Sequence, residues 1–282
     1  MRDYYRLTKP GIIYGNLMTA VAGFFFASQL HIYWDFLPMA AGLSLVMASA
    51  CVFNNFLDRD IDRRMSRTAK RALVSGVIAP RSAIIYACIL GAMGLFLLAV
   101  YVNWPAYYAA VAAMILYVIV YGVAKRRSVH GTLVGAIPGA LPLVIGYLAV
   151  SGSFDKRALL LFLIMFFWQM PHFYTIAMFR YKDYKAAGLP VITVRKGMAA
   201  AKKQSMIYIV LFAAAASLLW FYEYTGLFYL LGVLAASGYW LWVGLKYYDN
   251  LSDEKWGRKM FFTSLKVLMV LSVCLAFGSV LP

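Results

Sequence analysis

Three aspartates, Asp58, Asp60 and Asp62, stand within five residues of one another at the end of a long apolar run, and Arg67, Lys70 and Arg71 follow them. Asn54, Asp58 and Asp62 are spaced i, i+4, i+8. On a helix this spacing stacks one amide and two carboxylates on a single ridge, with Asn55 alongside and Asp60 turned elsewhere. Carboxylates so close repel one another unless a cation lies between them. Hard oxygen donors at this spacing suit Mg²⁺, which keeps several waters and is often shared with a substrate phosphate. The cations that follow extend the same logic: an arginine fork matches phosphate oxygens two at a time, and a lysine acts as a mobile point charge. A charge run at a membrane edge is ordinarily a solvated face. Against that reading, Asn54 and Asp58 close a membrane-length apolar run, where ionisable groups are usually functional.

A second segment, WQMPHFYTIAMFRYKDYKAAGLP from Trp168 to Pro190, holds a single acid, Asp183, among Arg180, Lys182 and Lys185. Pro171 is expected to break the helical ladder there and to bend the chain near His172. Asp183 gains weight as a metal partner because it is expected on the same membrane side as Asp58 and Asp62.

The elements that must hold these residues are membrane helices. The chain is 63% hydrophobic and only 13% charged, outside the range of soluble domains. Apolar runs predict nine spans, at about 10–30, 36–56, 80–100, 104–123, 132–151, 157–178, 204–222, 226–246 and 260–280. The fold class expected is therefore an all-α polytopic membrane protein, forming one integral-membrane domain over residues 1–282. The first run is too long for a signal-peptide core, so no cleaved leader is expected. With nine alternating spans, every lysine and arginine except Lys156, Arg157 and Lys266 falls on one side, which places the N-terminus in the cytoplasm and the C-terminus outside. The same bias accounts for the net charge of +16, so no nucleic-acid partner is implied. Cys51, Cys88 and Cys274 lie in apolar runs without metal-ligand spacing and read as small buried hydrophobes. Two long cytoplasmic connections, roughly 57–79 and 179–203, follow the second and sixth spans; this hints at an internal duplication, with a site where the halves meet.

NNFLDRDID, carrying Asn54, Asn55, Asp58 and Asp62, resembles the first aspartate-rich motif of the UbiA-type intramembrane prenyltransferases. TKPGI at Thr8–Ile12, Asn16, CVFNNFLDRDIDRRMSRT, KRRSVHGT at Lys125–Thr132, WQMPHFY and FRYKDYKAAGLP extend the likeness along nearly the whole chain and resemble the haem-farnesylating branch of that family. The resemblance implies nine helices around a central cavity open to the cytoplasmic side of a bacterial inner membrane. It implies farnesyl diphosphate and haem B as substrates, with water added to the haem vinyl group. It also implies Mg²⁺ held by Asn54, Asp58 and Asp62 on one side and Asp183 on the other. Two positions depart from the wider family pattern: Asn55 stands where many relatives carry aspartate, and Arg180 where a second acid of the second motif is expected.

In such a reaction the barrier lies in charge separation as diphosphate leaves, so the metal and the surrounding cations carry the catalysis. The catalytic acids expected are Asp58, Asp62 and Asp183. Arg67, Lys70, Arg71, Lys125, Arg126, Arg180 and Lys182 are the diphosphate candidates, with Arg67, Arg71 and Lys125 ranked first. His172 is the first candidate for orienting or ligating haem; His130 is second, although phosphate contact suits it better. Association with a haem A synthase or with terminal-oxidase assembly is a further expectation. A prenyltransferase for a quinone precursor is the alternative within the family, and WQMPHFY favours haem over it. A haem transporter or oxidase assembly factor is the alternative outside it, and the confinement of charge to one face argues against transport.

Overall fold

The structure is a computed structural model that describes residues 1–281. Among these, nine helices are long and apolar enough to cross a membrane: α1 Pro10–Ser28, α2 Phe36–Leu57, α3 Pro80–Tyr101, α4 Trp104–Arg127, α5 Gly131–Ser151, α6 Lys156–Phe179, α7 Met198–Phe221, α8 Leu227–Lys246 and α9 Asp253–Gly278. No strand occurs among the described residues. The all-α membrane architecture read from the sequence is the architecture found.

Packing follows the chain order. α2 lies against α3, α3 against α4, and α4 against α5; α6 lies against α7, α7 against α8, and α8 against α9. α1 sits between these two groups, packed on α5 and on α9, while α6 joins α5 to α9. The helices are drawn together by small residues. A Cβ on Gly146 of α5 would collide with the carbonyl of Ala20 on α1, and one on Gly23 with the carbonyl of Leu143, so this crossing depends on bare backbone.

Helix ends differ from expectation where charge is satisfied by tertiary contacts. α7 begins at Met198, six residues before the apolar run. Its buried Lys202 donates to the Tyr248 carbonyl at 2.7 Å and pairs with Asp253 at 2.8 Å. α9 begins at Asp253, with Asp253 and Glu254 in its first turn and Trp256 fully buried behind them; acids there complement the exposed N–H groups of the helix start. Pro171 does not break α6, which runs unbroken from Lys156 to Phe179. A proline costs one ladder bond, but irregular backbone among packed membrane helices would leave more groups unsatisfied. α4 contains one π turn, Leu116–Val120, that composition did not signal. Cys51 and Cys274 are buried as expected, whereas Cys88 is exposed on α3.

Candidate active site

The acidic ridge forms at a helix junction. α2 ends at Leu57, and a short helix, Arg59–Asp62, follows directly. Asp58 links them at φ −89°, ψ 5° without losing register: its N–H donates to the Asn54 carbonyl at 2.9 Å, and the Asp62 N–H donates to the Asp58 carbonyl at 2.8 Å. Asn54, Asp58 and Asp62 thus keep i, i+4 stacking across the break, and all three are buried.

Asp58, Asp60 and Asp62 are met by cations from outside the ridge, Lys125 and Arg126 from the end of α4 and Arg71 from the loop that follows, with Arg126 also 3.4 Å from Asp58. Lys125, at the end of α4, donates from Nζ to Asp58 Oδ2. Arg126 grips the exposed Asp60 with two bonds of 2.8 and 3.0 Å, and also donates to the Leu57 carbonyl at 2.6 Å. The Arg126 guanidinium therefore holds the Asp60 carboxyl below its ordinary range. Arg71 donates from Nη1 to Asp62 Oδ2 at 2.5 Å and to Asn55 Oδ1 at 3.0 Å. The Asn55 amide in turn donates to the Leu7 carbonyl at 2.8 Å, tying the ridge to the N-terminal helix Arg2–Leu7. The π turn lies just before this site. Tyr117 and Tyr121 stack there at 5.7 Å, and the Lys125 ammonium lies 5.1 Å from the Tyr121 ring centre.

Lys9 was not among the residues expected to act. It precedes Pro10 at the head of α1 in the left-handed region, φ 53°, and its Nζ donates to Asn54 Oδ1 at 2.9 Å. Among the described residues it pairs with no carboxylate. Burial lowers its pKa to about 8. The available sequence signal was a cation fixed before proline at a helix start, inside the TKPGI motif.

The two charged connections meet over this end of the bundle. Ile61 and Met65 from the first pack on Ala187 and Leu189 from the second, with Tyr184 and Val191 against them. Across that contact Ser66 donates to Asp183 Oδ1 at 2.9 Å. Burial pushes the Tyr184 hydroxyl up, while the neighbouring Arg67 and Arg180 pull it down. Arg67 and Arg180 do not join the acid ridge; both border a separate cleft between α6 and α9. Lys70, Lys182 and His130 are exposed, and their side chains make no hydrogen bond or ion pair among the described residues.

The donor set fits a hard divalent cation, but not as a closed cage. Among the described residues no three His, Cys, Asp or Glu side chains gather closely enough to hold a metal. Asn54, Asp58 and Asp62 offer oxygen on one side, and Asp183 lies across the loop contact. A cation here needs oxygens from water or phosphate, which is how Mg²⁺ is commonly held. The buried Asn54 Nδ2 has no partner and is a donor left over for an incoming oxygen.

WQMPHFY lies deeper in the bundle, apart from the ridge. Gln169 donates to the Ala136 carbonyl of α5 at 3.2 Å, and Trp168 Nε1 donates to the Ser264 carbonyl of α9 at 3.1 Å. His172 Nδ1 lies 2.8 Å from Ser264 Oγ, whose own proton is directed to the Phe261 carbonyl at 2.6 Å. With the hydroxyl proton committed, Nδ1 carries the hydrogen and donates, which leaves Nε2 its lone pair. The ring is sandwiched between Trp168 and Phe261, each centroid 4.9 Å away.

Comparison with known proteins supplies the remaining context. The sequence profile of the UbiA prenyltransferase family matches residues 16–265. The chain is 46% identical over its full length, and over 96% of the relative, to a protoheme IX farnesyltransferase of Klebsiella pneumoniae. It is 47% identical, with the same coverage, to one of Yersinia enterocolitica. Among solved structures, a digeranylgeranylglyceryl phosphate synthase superposes with a TM-score of 0.80 at 17% identity, over 99% of this chain and 98% of that one. A UbiA homologue of Archaeoglobus fulgidus bound to GPP and Mg²⁺ superposes at 0.71 and 18% identity, over 97% of this chain and 99% of that one. At such identities these two structures speak for the fold.

Proposed function

We propose that this chain, which belongs to the UbiA prenyltransferase family, transfers the farnesyl group of farnesyl diphosphate to a vinyl group of haem B, giving haem O. The observation that carries the substrate assignment is the 46–47% identity across the whole chain to relatives named protoheme IX farnesyltransferase. WQMPHFY and FRYKDYKAAGLP lie within that similarity.

In the reaction the C1–O bond of farnesyl diphosphate breaks, leaving an allylic cation and diphosphate. The terminal vinyl carbon forms a C–C bond to C1, and the positive charge moves to the carbon beside the porphyrin ring. Water adds there and loses a proton, giving the hydroxyl of haem O. No enzyme nucleophile takes part.

The chain's own residues act on the leaving group. Lys125 and Arg71, poised on Asp58 and Asp62, turn to the diphosphate oxygens as negative charge grows there, and Lys9 adds a third cation from α1. Cations already placed around the leaving group stabilise the negative charge that develops in the transition state. The Asn54 amide donates to a phosphate oxygen through its unpartnered Nδ2. Asn54, Asp58 and Asp62, together with Asp183, would hold Mg²⁺, which when bound would supply Lewis-acid stabilisation of the departing diphosphate. Arg126, occupied by Asp60 and Leu57, fixes the helix junction. The unbroken apolar helices supply a path for the prenyl tail, and His172 orients the haem.

The multi-pass protein lies in the bacterial inner membrane as one domain, with its N-terminus and basic end in the cytoplasm, where both substrates arrive. A haem A synthase or terminal-oxidase assembly receives the product. The test is direct: purified protein is incubated with haem B, farnesyl diphosphate and Mg²⁺, and haem O is sought by mass spectrometry. Protein that binds both substrates yet makes no haem O would overturn the assignment.

A further inference from the structure

A cleft of about 540 Å³ opens at the basic end of the bundle, apart from the acid ridge. Ile176 and Phe179 of α6 and Phe261 and Phe262 of α9 form its walls, and Arg67, Arg180 and Arg258 form its rim. The walls are aromatic and ordered: Phe179 meets Phe261 edge-on at 5.4 Å, and Phe261 packs against the His172 ring. The rim has no acid in it. Arg67 and Arg180 make no ion pair among the described residues, and Arg258 approaches only Glu254, at 3.9 Å.

This differs from the ridge, where Lys125, Arg126 and Arg71 each face a carboxylate. Three guanidiniums around an apolar slot repel one another, and the one acid near any of them is Glu254, 3.9 Å from Arg258. The arrangement complements a flat apolar molecule carrying more than one anionic oxygen pair, because each arginine fork matches a carboxylate with two parallel bonds.

We propose that this cleft seats the acceptor: the apolar face of a tetrapyrrole lies against Phe179, Phe261 and Phe262, and its two propionate carboxylates are held by Arg67, Arg180 and Arg258. The inference rests on the haem-farnesylating reading above and gives that substrate a place. A prenyl diphosphate suits the cleft less well, because no carboxylate is present there to share a metal. A phospholipid brings one phosphate to three guanidiniums. The position also suits a two-substrate reaction. Arg67 adjoins Ser66, and Ser66 bonds Asp183, so one loop borders both the acceptor cleft and the metal-binding side. The His172 ring packs against Phe261 with centroids 4.9 Å apart, so it adjoins the same aromatic wall.

The test measures binding separately from turnover. The full chain is placed in nanodiscs of neutral lipid, and haem B and its dimethyl ester are titrated by the Soret band. The wild type should favour the diacid. An Arg180→Gln/Arg258→Gln double variant should bind haem B about ten-fold more weakly, the loss of charge-assisted hydrogen bonds, and bind the ester unchanged. Its KM for haem should rise while its KM for farnesyl diphosphate stays the same. Arg180→Lys/Arg258→Lys should recover part of the affinity, since charge returns without the fork. Size-exclusion profiles matching the wild type establish that the variants are folded. Unchanged haem affinity, or a change that falls on farnesyl diphosphate instead, would overturn the proposal. So would a variant that loses a retained anionic phospholipid in native mass spectrometry but binds haem normally. A wild type that binds the diacid selectively but forms no haem O would sink the catalytic reading and leave the seat standing.

Discussion

The Lys9 ammonium donates to the Asn54 amide oxygen at 2.9 Å, across 45 positions of sequence. This bond ties the head of α1 to the acidic ridge and puts a cation with no carboxylate of its own beside two that have one.

Replacing Lys9 by methionine should therefore lower kcat/KM for farnesyl diphosphate about ten- to a hundred-fold, the cost of one charge-assisted bond to the leaving group. The ammonium is the binding form, and burial lowers its pKa to about 8. In the wild type the KM for farnesyl diphosphate should rise as pH passes above that value; in Lys9→Arg it should stay flat over the same range. The sign for stability runs the other way: burying the charge is unfavourable below pH 8 and is relieved as pH rises. A wild-type KM that is level from pH 7 to 9.5 would remove Lys9 from the site.

Asp58 and Asp62 should fail differently. Asp58→Asn is expected to insert and fold but to lose at least about a hundred-fold in kcat, since metal and Lys125 both depend on that carboxylate. The Asp62 side chain is 3% exposed and carries Arg71. Asp62→Ala should additionally cost roughly 3 kcal/mol, because it strands a part-buried guanidinium. Thermal unfolding in detergent, read alongside haem O formation, separates the two effects. Retained turnover in Asp58→Asn would dismiss the metal reading.

Asp60, two residues away, is the internal control. Its side chain is 58% exposed and its partner is Arg126. Asp60→Asn should change stability by less than about 1 kcal/mol and leave turnover within a few-fold of wild type. Arg126 lowers the Asp60 pKa, so the pair's contribution is present above the ordinary carboxyl value and fades as pH falls through the lowered one. The neutral-pH rate profile should be untouched. A loss matching that of Asp58→Asn would show that the ridge had been drawn on the wrong acids.

Ser264 fixes the His172 tautomer from α9. Ser264→Ala frees Nδ1 and should shift the Soret band or spin state of bound haem while leaving the KM for farnesyl diphosphate unchanged. An identical spectrum would mean that His172 packs helices and does not sense the iron.

Gly146 tests the fold itself. Alanine there meets the Ala20 carbonyl on α1, and overpacking of that kind costs about 1–3 kcal/mol. The variant should unfold in detergent at a lower temperature than wild type, with α1 the first helix to become accessible to protease.

The sequence alone determined the nine spans, the basic end and the ridge, because each is written in local terms. Hydropathy over about 20 residues marks a span, lysine and arginine mark a side, and i, i+4 spacing survives even where the helix breaks at Asp58. It also marked Asp183, through a lone acid in a basic segment. Span ends were less legible: Lys202 and Asp253 lie inside helices because each satisfies the other, a pairing that hydropathy cannot register. Pro171 sits in an intact α6 for a similar reason, since packed neighbours leave irregular backbone nowhere to find partners.

Only the tertiary structure decided which cation serves which acid. Seven basic residues were diphosphate candidates in the sequence, with Arg67, Arg71 and Lys125 ranked first. Folding pairs Lys125 with Asp58, Arg71 with Asp62 and Arg126 with Asp60, sets Arg67 and Arg180 on a separate aromatic cleft, and brings in Lys9 from the first span. Long, flexible side chains choose partners by distance and burial, and these are set by how α1, α4 and the two loops pack over the end of α2. Spacing along the chain, kept in register across the helix junction, fixed the acids; packing between helices fixed the cations.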